Sequence, residues 1–390
     1  MSKTLNRRNW LKSGLIAAGS VTLAPHLAWS SLTRRSSESV IWEIDHPSYY
    51  CDAAPVLKAR LNANENPYGP SESVKKAINE AVSMGNRYGH SDAAILIEKI
   101  AEKEGVTPDH IMLGPGSTDL LEKTAISRFM KGGNIVSADP SYMSLINTAQ
   151  AIGAEWKAIP LTKDYAHDLA AMQAAVDNKT QLVYVCNPNN PTGSLTPSND
   201  LRAFCSKVSE KTPVFVDEAY LEFLEDPEAN SMVDLVAQGK DIIVARTFSK
   251  IHSMAGLRIG YIVATPKRIK GITDMVRSTM GLSITSIKGA LASMSDGTFC
   301  SECKELNTTA RNYVCGELDK MNYKYIPSYT NFVIFPLSKT TVGEEFMKAM
   351  VTHGVGIRMY SFQNEPWCRV SMGTMSEMQL FTEVFKQVTA

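Results

Sequence analysis

The 390-residue chain has no excess of charge of either sign, with 40 Lys and Arg against 40 Asp and Glu. That balance argues against a surface built to grip nucleic acid, and no nucleic-acid partner is expected. Cysteine is scarce. Seven residues in the whole chain are too few for a disulfide framework, and the one close pair, Cys300 and Cys303, has no second pair at zinc spacing. The thiols read as small buried hydrophobes or free groups, with a redox pair as the lesser reading. Histidines at metal spacing are missing too, so no catalytic metal is expected, and His252 reads as structural or solvent-facing. Beyond the N-terminus no run of 18 apolar residues occurs, so no membrane span is expected in the mature chain. Repeats and low-complexity blocks are absent after residue 40. What is present is ordinary globular composition, 44% hydrophobic and 21% charged. The length gives a prior of two to three domains and allows a large core.

The first 30 residues depart from this average. Lys3, Arg7, Arg8 and Lys12 meet no acidic residue, and an apolar run rich in Ala, Gly, Ser and Thr follows, ending in Pro25 and Ala28-Trp29-Ser30. A basic region, a short apolar region and small residues near a cut site are the parts of an export signal. Arg7-Arg8-Asn9-Trp10-Leu11-Lys12 resembles a twin-arginine signal, which implies a periplasmic protein exported already folded. A chain cut after Ser30 carries four more acidic than basic residues, so the neutral total combines a basic leader with a mildly acidic protein.

The remainder alternates short apolar runs with helical patterns, the signature of βαβ units around a mostly parallel sheet. Strands are expected at Ile111–Leu113, Ile135–Ala138, Leu182–Cys186, Val214–Val216, Ile242–Ala245 and Tyr261–Ala264. Ala93, Ile97, Ile100 and Ala101 recur at helical spacing. Residues 284–320 have helical character, Phe332–Phe335 and Cys368–Val370 read as strands of a second unit, and Phe381, Val384, Phe385 and Val388 share one face of a closing helix. The expected division is a leader at 1–30, an N-terminal arm at 31–71, a large domain at 72–285 and a small domain at 286–390.

Three segments carry chemistry: Asn187-Pro188-Asn189-Asn190-Pro191-Thr192-Gly193, Asp217-Glu218-Ala219-Tyr220, and Ser249-Lys250 followed by Ala255-Gly256-Leu257-Arg258. Asp217 ends an apolar strand, where a carboxylate must face solvent or hold a partner, because an unpaired buried charge is costly. Gly116-Ser117-Thr118 follows a strand and opens a helical pattern, which places backbone N–H groups at a helix start suited to an anion. With Asn62-Ala63-Asn64-Glu65-Asn66-Pro67, Pro140-Ser141-Tyr142, Tyr329-Thr330-Asn331-Phe332 and Arg369-Val370-Ser371-Met372-Gly373-Thr374, the ordered set resembles the fold-type I pyridoxal-phosphate aminotransferases. It is most similar to the histidinol-phosphate aminotransferase branch.

That resemblance implies an α/β fold, with a large domain built on a mostly parallel seven-stranded sheet and a smaller α/β C-terminal domain. It implies pyridoxal 5′-phosphate as cofactor. Lys250 is then the Schiff-base anchor and the group that shuttles the substrate's Cα proton. Asp217 pairs with the pyridine nitrogen, while Tyr220 and Asn190 bond the ring's 3-oxygen and Tyr142 stacks on the ring. Ser117, Thr118, Ser249 and Arg258 hold the phosphate. Tyr88 corresponds to a tyrosine that reaches the neighbouring subunit's phosphate, implying a homodimer with shared sites; here the usual Tyr-Pro is Tyr-Gly. Arg369 matches a clamp for a substrate acidic group, Arg358 a second basic residue, and Asn331 a residue on the substrate side. The reaction expected is transfer of an amino group between an amino acid and a keto acid. An exported enzyme fits cytoplasmic histidine synthesis poorly, which keeps racemase, lyase or decarboxylase chemistry on the same scaffold as the alternative.

Overall fold

The computed structural model describes residues 56–277 and 281–389. The leader expected at 1–30 and most of the arm expected at 31–71 lie outside the described residues. Twelve strands run in chain order: β1 (Ala59–Arg60), β2 (Ile111–Gly114), β3 (Asn134–Asp139), β4 (Glu155–Pro160), β5 (Thr180–Cys186), β6 (Val214–Asp217), β7 (Ile242–Thr247), β8 (Gly260–Ala264), β9 (Phe332–Pro336), β10 (Val355–Gly356), β11 (Arg358–Phe362) and β12 (Glu365–Ser371). Seven form one sheet in the order β2-β8-β7-β6-β5-β3-β4. All its neighbours are parallel except those of β8, which runs against both β2 and β7. β6 and β7 are buried along their whole length and β5 at every residue but Gln181, with apolar runs such as Leu182–Val185 and Ile242–Ala245, as a sheet covered on both faces requires.

Each of the six strands expected in this sheet forms, longer by a residue or more. The edge strand β4 was not expected, because Glu155-Trp156-Lys157-Ala158-Ile159-Pro160 is half-exposed and lacks an apolar run. The helical character over 284–320 resolves into two helices, Ile284–Met294 and Gly297–Lys320, with Asp296 capping the second by accepting from Phe299 N.

A second sheet has the order β11-β12-β9 and is antiparallel throughout. Its core gathers Phe335, Met350, Phe381 and Phe385, all fully buried, with Phe385 edge-on to Phe335 at 5.3 Å between ring centres. Burying each such ring contributes about 1.5–3 kcal/mol. The start of the described chain belongs to this core, since β1 pairs in parallel with β10 (Ala59 opposite Val355) and Leu61 is buried in it.

Candidate active site

Adjacent parallel strands β6 and β7 deliver the central residues of the site from their C-terminal ends, where open α/β sheets place their ligands. Asp217 closes β6, and Lys250 follows β7 by three residues. Together with residues of the second sheet they line a cavity of about 340 Å³. Lys250 is half-buried, and its Nζ donates to the carbonyl of Asn64 at 3.1 Å. Burial, then the nearby charge of Arg369, lowers its pKa from 10.5 to about 8. Asp217 is 2% exposed, and its carboxylate has only two long bonds, from Ala219 N at 3.2 Å and the Tyr184 hydroxyl at 3.3 Å. Burial raises its pKa to about 6, so at neutral pH it is an ionised carboxylate with spare acceptor capacity facing the cavity.

Two donors stand beside it. The Tyr220 oxygen accepts from Asn64 Nδ2 at 2.9 Å, and that amide is oriented by Ser371, whose hydroxyl donates to Asn64 Oδ1 at 2.8 Å. The phenol proton of Tyr220 is therefore left to donate elsewhere. Asn190 Oδ1 accepts from Arg369 Nη1 at 2.7 Å, which leaves its amide N–H groups for the cavity. At the opposite end, the helix Gly116–Phe129 begins with Gly116 at φ +82°, a conformation that favours glycine. A Cβ there would collide with Arg258 Nη2, so the guanidinium lies directly on the helix start. Arg258 itself has φ +50°, a strained value for a branched-free but bulky residue, held by Nη1 bonds to the Ala255 carbonyl at 2.9 Å and Ser249 Oγ at 3.4 Å. Ser117, Thr118 and Tyr142 complete this end, with Thr118 Oγ1 and the Tyr142 hydroxyl 3.1 Å apart.

The donor set fits pyridoxal phosphate. A helix N-terminus with hydroxyls and an arginine suits a phosphate dianion, a buried carboxylate suits a protonated ring nitrogen, and two free donors suit an anionic ring oxygen.

Arg369, on β12, is 2% exposed. Its recorded partners are neutral: Asn190, the Tyr360 hydroxyl at 2.7 Å and the Asn62 carbonyl at 3.1 Å. Its Nε is buried without a hydrogen-bond partner. Arg358 stands directly opposite on β11 and also lines the cavity.

Two expected residues lie elsewhere. Asn331 does not line this cavity; its Nδ2 donates to the carbonyls of Asn64 and Glu65 at 3.0 and 3.2 Å, so it holds the Asn64 segment, while its Oδ1 is buried without a partner. Tyr88 is 77% exposed, stacked on His90 and away from this chain's own cavity. His252 is buried and hydrogen-bonded to Ser293 Oγ at 2.8 Å, the structural of its two readings. Cys300 and Cys303 are free thiols. Asn64, Tyr360 and Tyr184 were not singled out as site residues. Asn64 lies inside the Asn62–Pro67 motif, Tyr184 inside an apolar strand run, and Tyr360 on a strand that the sequence does not announce.

The family model described as aminotransferase class I and II matches residues 57–385. A histidinol-phosphate aminotransferase of Caldicellulosiruptor saccharolyticus is 33% identical over 330 residues, covering 84% of this chain and 91% of the relative. One from Moorella thermoacetica is 32% identical over 333 residues, 85% of each chain. The crystal structure of the Sinorhizobium meliloti histidinol-phosphate aminotransferase in complex with pyridoxal-5′-phosphate superposes with a TM-score of 0.79 at 28% identity, covering 86% of this chain and 91% of that one.

Proposed function

Since the chain belongs to the aminotransferase class I and II family, we propose that it takes the amino group from a donor bearing an acidic substituent, with Lys250 moving the proton and Arg369 clamping the acid. It is a pyridoxal-phosphate-dependent aminotransferase, acting between amino and keto acids. When bound, the cofactor supplies an aldehyde that takes up the donor's amine and a ring that accepts the electron pair left on the donor's Cα. The remaining work belongs to the protein. Asp217 holds the ring-nitrogen proton in place, which keeps the ring an electron acceptor. Tyr220 and Asn190 donate to the 3-oxygen. Arg258 and the Gly116–Phe129 helix start anchor the phosphate, and Tyr142 covers the ring. Lys250, with an amine pKa drawn down to about 8, takes the proton from Cα and returns it on the cofactor side.

The observation that carries the substrate reading is the buried guanidinium of Arg369, with neutral partners and an unpartnered Nε, at the cavity wall. A carboxylate or a phosphate monoester would pair with it, and Arg358 lines the same cavity. The relatives' names, histidinol-phosphate aminotransferase, favour a phosphate-bearing amine, and an exported enzyme favours an amino acid. The test adds single donors to the cofactor-loaded enzyme without a keto acid. L-Amino acids of each charge type, histidinol phosphate and their neutral amine analogues form the panel. Conversion of the visible band to the amine form of the cofactor is expected only for acidic donors; equal conversion by neutral analogues would overturn the clamp. A donor that only exchanges its Cα hydrogen with solvent deuterium would point to racemisation.

Two further readings complete the proposal. The exposed Tyr88, with Val82, Met84 and Ile95 also exposed nearby in sequence, supports a homodimer in which each chain lends a tyrosine to its partner's phosphate site. Residues 1–30 support twin-arginine export to the periplasm. No helix among the described residues is long and apolar enough to cross a membrane.

A further inference from the structure

Directly behind the Asp217 strand lies a buried charge cluster that the chemistry above does not use. Successive strand residues point to opposite faces, so while Asp217 faces the cavity, Glu218 points away from it. Glu218 is 1% exposed and accepts from Met232 N at 2.8 Å and Ser231 Oγ at 3.0 Å. Its carboxylate stands 2.9 Å from Arg246 Nε, an ion pair in which that N–H is not aligned for a hydrogen bond. Arg246, 5% exposed on β7, also reaches Glu222 at 3.5 Å and Glu104 at 3.6 Å and donates to Ser231 Oγ at 3.0 Å. Glu104 in turn accepts from the Tyr261 hydroxyl at 2.6 Å. One guanidinium thus gathers three carboxylates, and two of them, Glu218 and Glu222, bracket Tyr220. The same strand delivers Lys250 four residues later.

We propose that Arg246 is a positioning residue for the transamination site: by tying Glu218 and Glu222 to β7 it fixes the intervening turn, so that Asp217 and Tyr220 meet the cofactor ring in register with Lys250. This rests on the roles given above to Asp217 and Tyr220. The geometry supports it beyond proximity. The turn's backbone has few bonds to other elements: Glu218 N bonds the Ala245 carbonyl at 3.0 Å, and Leu221 N and Phe223 N bond within the turn itself, while the Tyr220 side chain is held separately by Asn64 and by the Phe332 ring. A buried arginine that pairs on both sides of one tyrosine is a clamp on that tyrosine's backbone. Removing it leaves the buried Glu218 and Glu104 and the partly buried Glu222 without the cation they share, a cost that the turn can relieve by moving.

The test reads the pH midpoint of the bound cofactor's visible band. When Tyr220 loses its aim, the ring's 3-oxygen loses a donor, becomes more basic and holds the neighbouring proton more tightly, so the midpoint rises. Arg246→Gln is expected to raise it by about one pH unit and to weaken cofactor binding about tenfold or more. Arg246→Lys, which keeps the charge but not the fork, should give a smaller shift of the same sign. Glu222→Gln separates positioning from plain electrostatics and is the gentler change should Arg246→Gln not fold. Deleting a negative charge lowers a proton's affinity through space, whereas a loosened turn raises it. A higher midpoint in Glu222→Gln supports the clamp, and an unmoved or lower one overturns it. Arg268→Gln, which breaks an ion pair with Asp241 at the far end of β7, should lower the melting temperature and leave the midpoint alone. Lys250→Ala in parallel reads the underlying assignment: retention of the visible band there would overturn the site itself. Loss of that band with an unmoved Glu222→Gln midpoint would overturn only the role of Arg246.

Discussion

At the scale of single residues, the site is a set of side chains whose spare hydrogen-bonding capacity has been fixed by neighbours. Asn64 uses the lone pair of Tyr220, and Arg369 uses the oxygen of Asn190, so each points a donor at the cavity. Lys250 shows the same logic in its titration. An ordinary lysine is almost wholly protonated at pH 8, but burial brings this amine to about 8. The rate at which the apoprotein captures pyridoxal phosphate should therefore rise with pH to a midpoint near 8. Stopped-flow absorbance across pH 6 to 11 measures it, and a midpoint above 10 would refute the burial argument. Arg369→Lys keeps a charge but loses the planar fork, and kcat/KM for an acidic donor should fall about 30-fold, about 2 kcal/mol. The loss should fall mainly on KM. A variant with full kcat/KM would remove the clamp from the proposal.

At the scale of elements, the phosphate end depends on how closely a strand start meets a helix start. Gly260 opens β8 against the first residues of the Gly116–Phe129 helix, and a Cβ there would stand 2.7 Å from Ser117 N and 2.9 Å from the Arg246 carbonyl. Gly260→Ala must push the helix start away. It should cost about 1–3 kcal/mol of stability and weaken cofactor binding, as thermal melting and cofactor titration would show; tight binding at wild-type strength would mean the helix start is not the phosphate site. Much of this was legible beforehand. Val214–Val216 and Ile242–Ala245 are apolar enough to declare themselves as buried strands, and the glycine and arginine of the phosphate end stand in ordered motifs. What stayed hidden has physical reasons. β4 is a half-exposed edge with no apolar run. β11 alternates Arg358, Tyr360 and Phe362 with Met359 and Ser361, and two of its residues turn to a cavity rather than a core. Asn331 sits in a motif beside the site, but nothing in its sequence context says that its amide is spent on the backbone of residues 267 and 266 positions earlier.

At the scale of the whole molecule, pH acts through groups far apart. His167 and His252 are buried, which lowers their pKa from 6.5 to about 4 and about 3. As pH falls below 6.5 the unfolded chain binds protons that the folded chain refuses, so His167 removes stability down to about pH 4 and His252 down to about pH 3. Asp217 and Glu218, raised to about 6 and about 7, act oppositely in the same range, because the folded state binds the extra proton. The wild-type curve is therefore blunted, and the difference is diagnostic. His167→Gln should lose less stability than wild type between pH 6.5 and 4 in denaturant titrations; parallel curves would refute the assignment. Assembly has its own test. Mixing inactive Lys250→Ala with inactive Tyr88→Ala should restore about a quarter of wild-type activity, since half the dimers are hybrids with one intact site each; no recovery would exclude sharing of Tyr88. One more consequence follows from the bond between Asn64 and Ser371, 307 residues apart. A ribosome making this chain releases Lys250 and Asp217 well before the residues that fasten Asn64 over them. The nascent chain thus carries its reactive amine without the carbonyl and the tyrosine support that restrain it, and a competent pocket exists only after nearly the last strand has been synthesised. Stop codons placed between 260 and 370 should yield chains that meet the cofactor as loose lysines do, whereas chains that extend past Ser371 can fasten Asn64 and close the pocket.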